Sequence, residues 1–126
     1  MDNLLGMPPD LLVYGLGQIP GCLPEPIQLL SLDSSVFTLC DGFSVKCWFD
    51  GGVCSSYVLA LRCTPQNRDS VFQVACRMAH SAGYAYSRAM YDEGRQKFIY
   101  IRDGWRVVIA KYDDTSITYA VVPPNI

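Results

Sequence analysis

Residues 96–122, QKFIYIRDGWRVVIAKYDDTSITYAVV, constrain this chain more than any other stretch. Asp103-Gly104 lies between two alternating apolar runs, and this dipeptide accepts the positive φ that a type I′ hairpin turn needs at both central residues. With those two residues as the loop, Arg102 faces Trp105, Tyr100 faces Val107 and Phe98 faces Ile109. A second turn at Asp113-Asp114-Thr115-Ser116 brings the chain back along residues 117–122, so the spacing predicts a three-stranded meander. Side chains alternate across a strand, which divides the meander into two faces. Ile99, Ile101, Val108, Ala110, Tyr112, Ile117, Tyr119 and Val121 form the face expected to be core. Phe98, Tyr100, Arg102, Trp105, Val107, Ile109, Lys111 and Thr118 form a mixed aromatic and cationic face.

The rest of the chain reads as strands around one helix. Residues 1–26 carry five of the eight prolines and four glycines, yet also many apolar side chains. They read as an extended arm with one short strand at 11–14, packed either on the domain's own core or on a partner. Strands are expected at 27–32, 36–40 and 43–49, the last two joined by Asp41-Gly42, a second hairpin turn of the same chemistry. Residues 53–63 suit strand or helix, as short apolar runs often do. Thr64-Pro65 predicts a helix start, with Asn67 as the other candidate cap. Val71, Val74, Ala75, Met78 and Ala82 then recur at helical spacing, widened by Phe72, Cys76 and Ala79. Arg68, Asp69, Gln73, Arg77, His80 and Ser81 take the polar side, and Gly83 stops the helix. Residues 84–91 return as a strand. The expectation is one α+β domain over residues 27–126, with antiparallel strands in two sets flanking a central helix, as a sandwich or partly open barrel.

Composition excludes several function classes. The chain has 126 residues, half of them hydrophobic and 17% charged, which is globular composition. No apolar run approaches the roughly 20 residues of a membrane helix. Acidic Asp2 and the lack of a basic leader predict no signal peptide, hence a reducing, cytoplasmic compartment. The six cysteines lie in apolar runs and include no C-x-x-C pair, so they are expected as free buried thiols, with no metal site. Residues 1–63 hold two basic and six acidic side chains, and residues 64–126 hold eight and six. That imbalance is too small for a nucleic-acid patch, and no cofactor is expected.

Candidate chemistry is sparse. Cys54-Ser55-Ser56-Tyr57-Val58 resembles the nucleophile segment of NlpC/P60-type cysteine peptidases, in which Asp-Cys-Ser leads into an apolar helix. The resemblance implies a hydrolase with Cys54 as nucleophile and His80, the lone histidine, as base. Position 53 is valine where that family has aspartate. The acidic pairs Asp92-Glu93 and Asp113-Asp114 sit in expected turns and do not face one cleft. Gly15-Leu16-Gly17 lacks the third glycine and the helix of a dinucleotide site.

The aromatic and cationic face of the meander carries the reading of function. Tyrosine, tryptophan and arginine are the residues enriched at interface hot spots. We therefore expect a small non-enzymatic protein-binding module, an inhibitor or antagonist, contacting its partner through Phe98, Tyr100, Arg102, Trp105 and Lys111. A homodimer is one form of that partnership, and neither a membrane nor nucleic acid is expected. The alternatives are the Cys54/His80 hydrolase and an RNA or single-strand binder stacking bases on the same aromatics. If the aromatic face is instead a core layer, the functional surface is expected on the helix, at Arg68, Gln73, Arg77 and His80.

Overall fold

The computed structural model describes residues 4–8, 11, 14, 18, 23–24, 35–40 and 42–124, of which 23–24 and 35–40 are described in backbone only. The strands in chain order are β1 (Leu23–Pro24), β2 (Ser35–Cys40), β3 (Phe43–Asp50) and β4 (Val53–Arg62). One helix, α1 (Arg68–Ser81), follows, and then β5 (Ala85–Asp92), β6 (Arg95–Arg102), β7 (Trp105–Asp113) and β8 (Ser116–Val122). The fold is α+β with antiparallel strand pairing. No helix is long and apolar enough to cross a membrane among the described residues. The chain divides into two compact units, Met1–Leu59 and Ala60–Ile126.

In the first unit the strand order is β1-β2-β3-β4. β2 and β3 pair from Ser35↔Trp48 to Cys40↔Phe43 across the expected turn, where Gly42 has φ +81. Val45, Cys47 and Phe49 alternate into the core from β3, joined by Cys54, Tyr57 and Leu59 of β4 and by Leu4. The ambiguous run at 53–63 is a strand over Val53–Arg62, because Gly51 and Gly52, both at positive φ, fold it straight back from β3. Part of the arm packs here. The Gly6 N–H donates to the Cys54 carbonyl at 2.9 Å, and the Cys54 N–H to the Met7 carbonyl at 2.8 Å. Of the short strand expected at 11–14, the described residues Leu11 and Tyr14 have helical backbone instead. The strand expected at 27–32 lies outside the described residues.

The second unit lays α1 on one face of the strands ordered β8-β7-β6-β5. The helix starts at Arg68 with Asn67 as N-cap, not at Pro65. Thr64 is engaged elsewhere: its N–H donates to Asn67 Oδ1 at 2.7 Å, and the Asn67 N–H donates to Thr64 Oγ1 at 3.2 Å. At the other end, the Tyr84 N–H reaches the Ala79 carbonyl and the Gly83 N–H the His80 carbonyl, each at 3.0 Å. With Gly83 at φ +90 this is a Schellman stop, the role its position suggests. Phe72, Ala75 and Ala79 are the buried seam, whereas Val74, expected within it, is exposed.

The meander has the expected first turn, with Asp103 and Gly104 both at positive φ. Its second turn differs by one residue. The ladder runs Ile109↔Tyr119, Ala110↔Thr118 and Lys111↔Ile117, then resumes at Asp113↔Ser116, which leaves Tyr112 as a β-bulge. A one-residue slip moves every following side chain to the other face. Ile117, Tyr119 and Val121 therefore share a face with Phe98, Tyr100, Val107 and Ile109, contrary to the sequence reading. That combined face is the one α1 covers. Val107, Ile109, Ile117, Tyr119, Val121 and Tyr100 are all buried on it. On the face expected to be core, Ile99 and Ala110 are buried, but Ile101 is 40% and Tyr112 50% exposed.

Candidate functional site

Between α1 and strands β6 and β7 of the second unit lies an open groove of about 480 Å³. The spacing of α1 sets one wall: Asp69, Phe72, Gln73, Cys76 and Arg77 recur every three or four residues and so share a side of the helix. The other wall is every second residue of β6, namely Gln96, Phe98 and Tyr100, together with Lys111 of β7. Phe72 and Phe98 meet edge to face at 4.9 Å between ring centroids. Tyr86 of β5 extends the cluster, 5.6 Å from both Phe98 and Tyr100. Such edge-to-face pairs fix ring orientation as well as burying area.

The polar groups around these rings are held in place. Lys111 Nζ lies 2.7 Å from Asp69 Oδ1 and 5.1 Å from the Phe72 ring. That ammonium, by hydrogen bond and by charge, holds the Asp69 carboxyl below its usual range. Burial, and then a hydrogen bond with the Cys76 thiol, pushes the Tyr100 hydroxyl up to about 12. Gln73 and Arg77 are exposed on the helix side, so the groove offers amide and guanidinium groups above an aromatic floor.

Of the residues expected to bind a partner, Phe98, Tyr100 and Lys111 come together in this groove, and Arg102 and Trp105 stand apart from it. Tyr100 is buried instead of presented, because the face that carries it is the one under the helix. Arg102 is occupied at the end of α1. Its guanidinium donates to the Ala82 carbonyl and lies 4.7 Å from the Tyr84 ring centroid, satisfying a helix-terminal acceptor with a cation. Trp105 is half-buried opposite Arg102, beyond the Asp103-Gly104 turn. Asp69, Phe72, Cys76 and Gln96 were not singled out from the sequence as site residues. The signal that would have found the helix wall was present, as the polar residues flanking the apolar seam at the same helical spacing.

The thiol chemistry is differently arranged. Cys54 is buried in a strand, not at the head of a helix as in the peptidases its segment resembles. Its thiol donates to the Ser56 carbonyl at 3.5 Å and contacts Cys47. The hydrogen bond from Cys47 lowers the Cys54 pKa, and the same bond together with burial raises that of Cys47. His80 is exposed in the last turn of α1. Cys47, Cys54, Cys63 and Cys76 are free thiols. Among the described residues, no three His, Cys, Asp or Glu side chains gather as metal ligands. Comparison with protein-family models, with curated proteins and with solved structures finds no match to this chain.

Proposed function

We propose that this protein is a small non-enzymatic binding module that antagonises a partner protein by seating one of its segments in the groove between α1 and β6. The observation that carries the reading is the composition of that groove: an aromatic floor of Phe72 and Phe98 beneath Gln73, Arg77, Gln96 and Lys111. Aromatic anchors with a polar rim are what concentrates binding energy at protein interfaces. Arg77 and Lys111 outnumber Asp69 among the charged residues of the groove, which favours a segment with an aromatic or aliphatic anchor next to an acidic residue. Burial of Cys54 supports binding over thiol hydrolysis, since a catalytic thiol must be accessible to its substrate. Residence in a reducing, cytoplasmic compartment belongs to the same proposal, supported by the free thiols of Cys47, Cys54, Cys63 and Cys76 among the described residues.

The test is selection of a random peptide display library on the full chain, with the Gln73→Trp variant run in parallel. Gln73 is exposed, so the indole fills the groove without entering the core. The expected result is enrichment of acidic peptides with one large apolar residue, lost on Gln73→Trp. Enrichment that survives the filled groove, or none at all, contradicts the proposal.

A further inference from the structure

We propose that the outer edge of β5 pairs antiparallel with the same edge of a second copy of this chain, with the two-fold axis passing at Met90. Every residue of Ala85–Asp92 is exposed except Met90, which is half-buried. Among the described residues β5 has a strand neighbour, β6, on one side only. The other side therefore presents unpaired backbone donors and acceptors.

The turn determines which backbone groups those are. Glu93 and Gly94 have φ of 54° and 75°, the two-residue type I′ turn, whose closing pair Asp92↔Arg95 exchanges hydrogen bonds. Hydrogen-bonded and non-bonded pairs alternate from there. Asp92, Met90 and Arg88 thus direct their backbone groups at β6, and Tyr91 and Ala89 direct theirs outward. The register shift between Tyr86 and Arg88 ends the regular stretch. A copy must set outward residues opposite outward residues. Centring the pairing on Ala89 would use Ser87, inside the register shift, and centring it on Tyr91 would set Ala89 against the Glu93 turn. Centring on Met90 sets Ala89 opposite Tyr91 of the second copy, twice, for four backbone hydrogen bonds.

Charge selects the same register. It places Arg88 opposite Asp92 of the second copy, again twice, at non-bonded positions where facing side chains come closest. Arg88 makes no ion pair among the described residues, and Asp92 holds only Lys97, at 3.0 Å. A bulge and an edge charge also guard the edges of monomers. A guarding charge repels its own image, however, whereas here opposite charges bracket the centre. Side-chain size agrees as well. Tyr91 is 76% exposed, and in this register it extends the row Ala89–Phe98–Ile109 by lying over the small Ala89. The pairing does not depend on what the groove binds.

Sedimentation velocity on the full chain tests it. The wild type is expected to dimerise at concentrations up to about 100 µM. Arg88→Asp and Asp92→Arg each set like charges opposite twice, and each is expected to weaken the dimer at least about tenfold. Mixed in equal amounts they should dimerise again, because both contacts then join opposite charges. Ala89→Pro removes one outward N–H per chain and none that faces β6, for a loss of about thirtyfold with unchanged circular dichroism. A monomeric wild type, single variants that stay dimeric, or a mixture that stays monomeric overturns the proposal.

Discussion

The two faces of the β5–β8 sheet show how little apolar composition says about which face becomes core. One face carries Ile99, Ile101, Val108 and Ala110 and reads as interior, yet Lys97 and Arg106 share it and Ile101 and Tyr112 lie open to solvent. The other carries aromatics and cations and reads as a surface, yet it buries Val107, Ile109 and Ile117 completely. The position of the helix and a single bulge make the difference. α1 brings Phe72, Ala75 and Ala79 onto the second face, and the bulge at Tyr112 turns Ile117, Tyr119 and Val121 toward them. The cations on that face are accommodated because each has a partner at the rim: Lys111 on Asp69, Arg102 on the Ala82 carbonyl. Long basic side chains can cover apolar surface while their charged ends reach polar groups.

Substitution should separate the two faces most strongly. Ile109→Ala is expected to cost about 2–5 kcal/mol of unfolding free energy in urea, since it opens a cavity under the helix. Ile101→Ala, on the open face, should cost about 1 kcal/mol or less. Equal costs would break the comparison. Arg102→Met should lie between them, at about 1–2 kcal/mol, through loss of the helix-terminal hydrogen bond and the contact with Tyr84.

Alkaline titration sharpens the same contrast. Burial raises Tyr119, and burial with the Cys76 hydrogen bond raises Tyr100, each to about 12. Free tyrosine ionises at about 10, so the fold favours the neutral form. Their contribution is complete below about 10 and is lost as pH rises toward about 12. Ultraviolet titration should find Tyr100 and Tyr119 ionising late. The smallest effect is at the groove rim. Lys111 holds the Asp69 carboxyl below its usual value, so that contribution is present above the ordinary aspartate range and is lost as pH falls through the lowered value. Asp69→Asn should abolish this acid dependence and leave mid-range stability little changed, as expected of an exposed ion pair.

What could be read from the sequence was local. Asp103-Gly104, Gly42 and Gly83 each announce a backbone conformation that few other residues accept, and each stands where expected. The alternation of residues 98–111 likewise gave the first hairpin its correct register. The bulge at Tyr112 left no comparable signature, because nothing in YDDTS distinguishes a regular turn from one preceded by an extra residue. That one residue reversed the faces of β8. The helix start was misplaced for a related reason, since Thr64 and Asn67 are both cap residues and their mutual hydrogen bonds decide between them. The groove depended on a long-range choice, which sheet face α1 would cover, and both faces were apolar enough to accept it. Half of its wall was nonetheless visible as the polar flank of the helix.

The central claim is that β8 is slipped by one residue, so that the aromatic face is the core. Cross-strand backbone NOEs between β7 and β8 address it directly. The slipped register predicts contacts for Ile109 with Tyr119 and for Val107 with Val121. A regular hairpin without the bulge would instead show Ala110 with Tyr119 and Val108 with Val121, and that result would contradict the account.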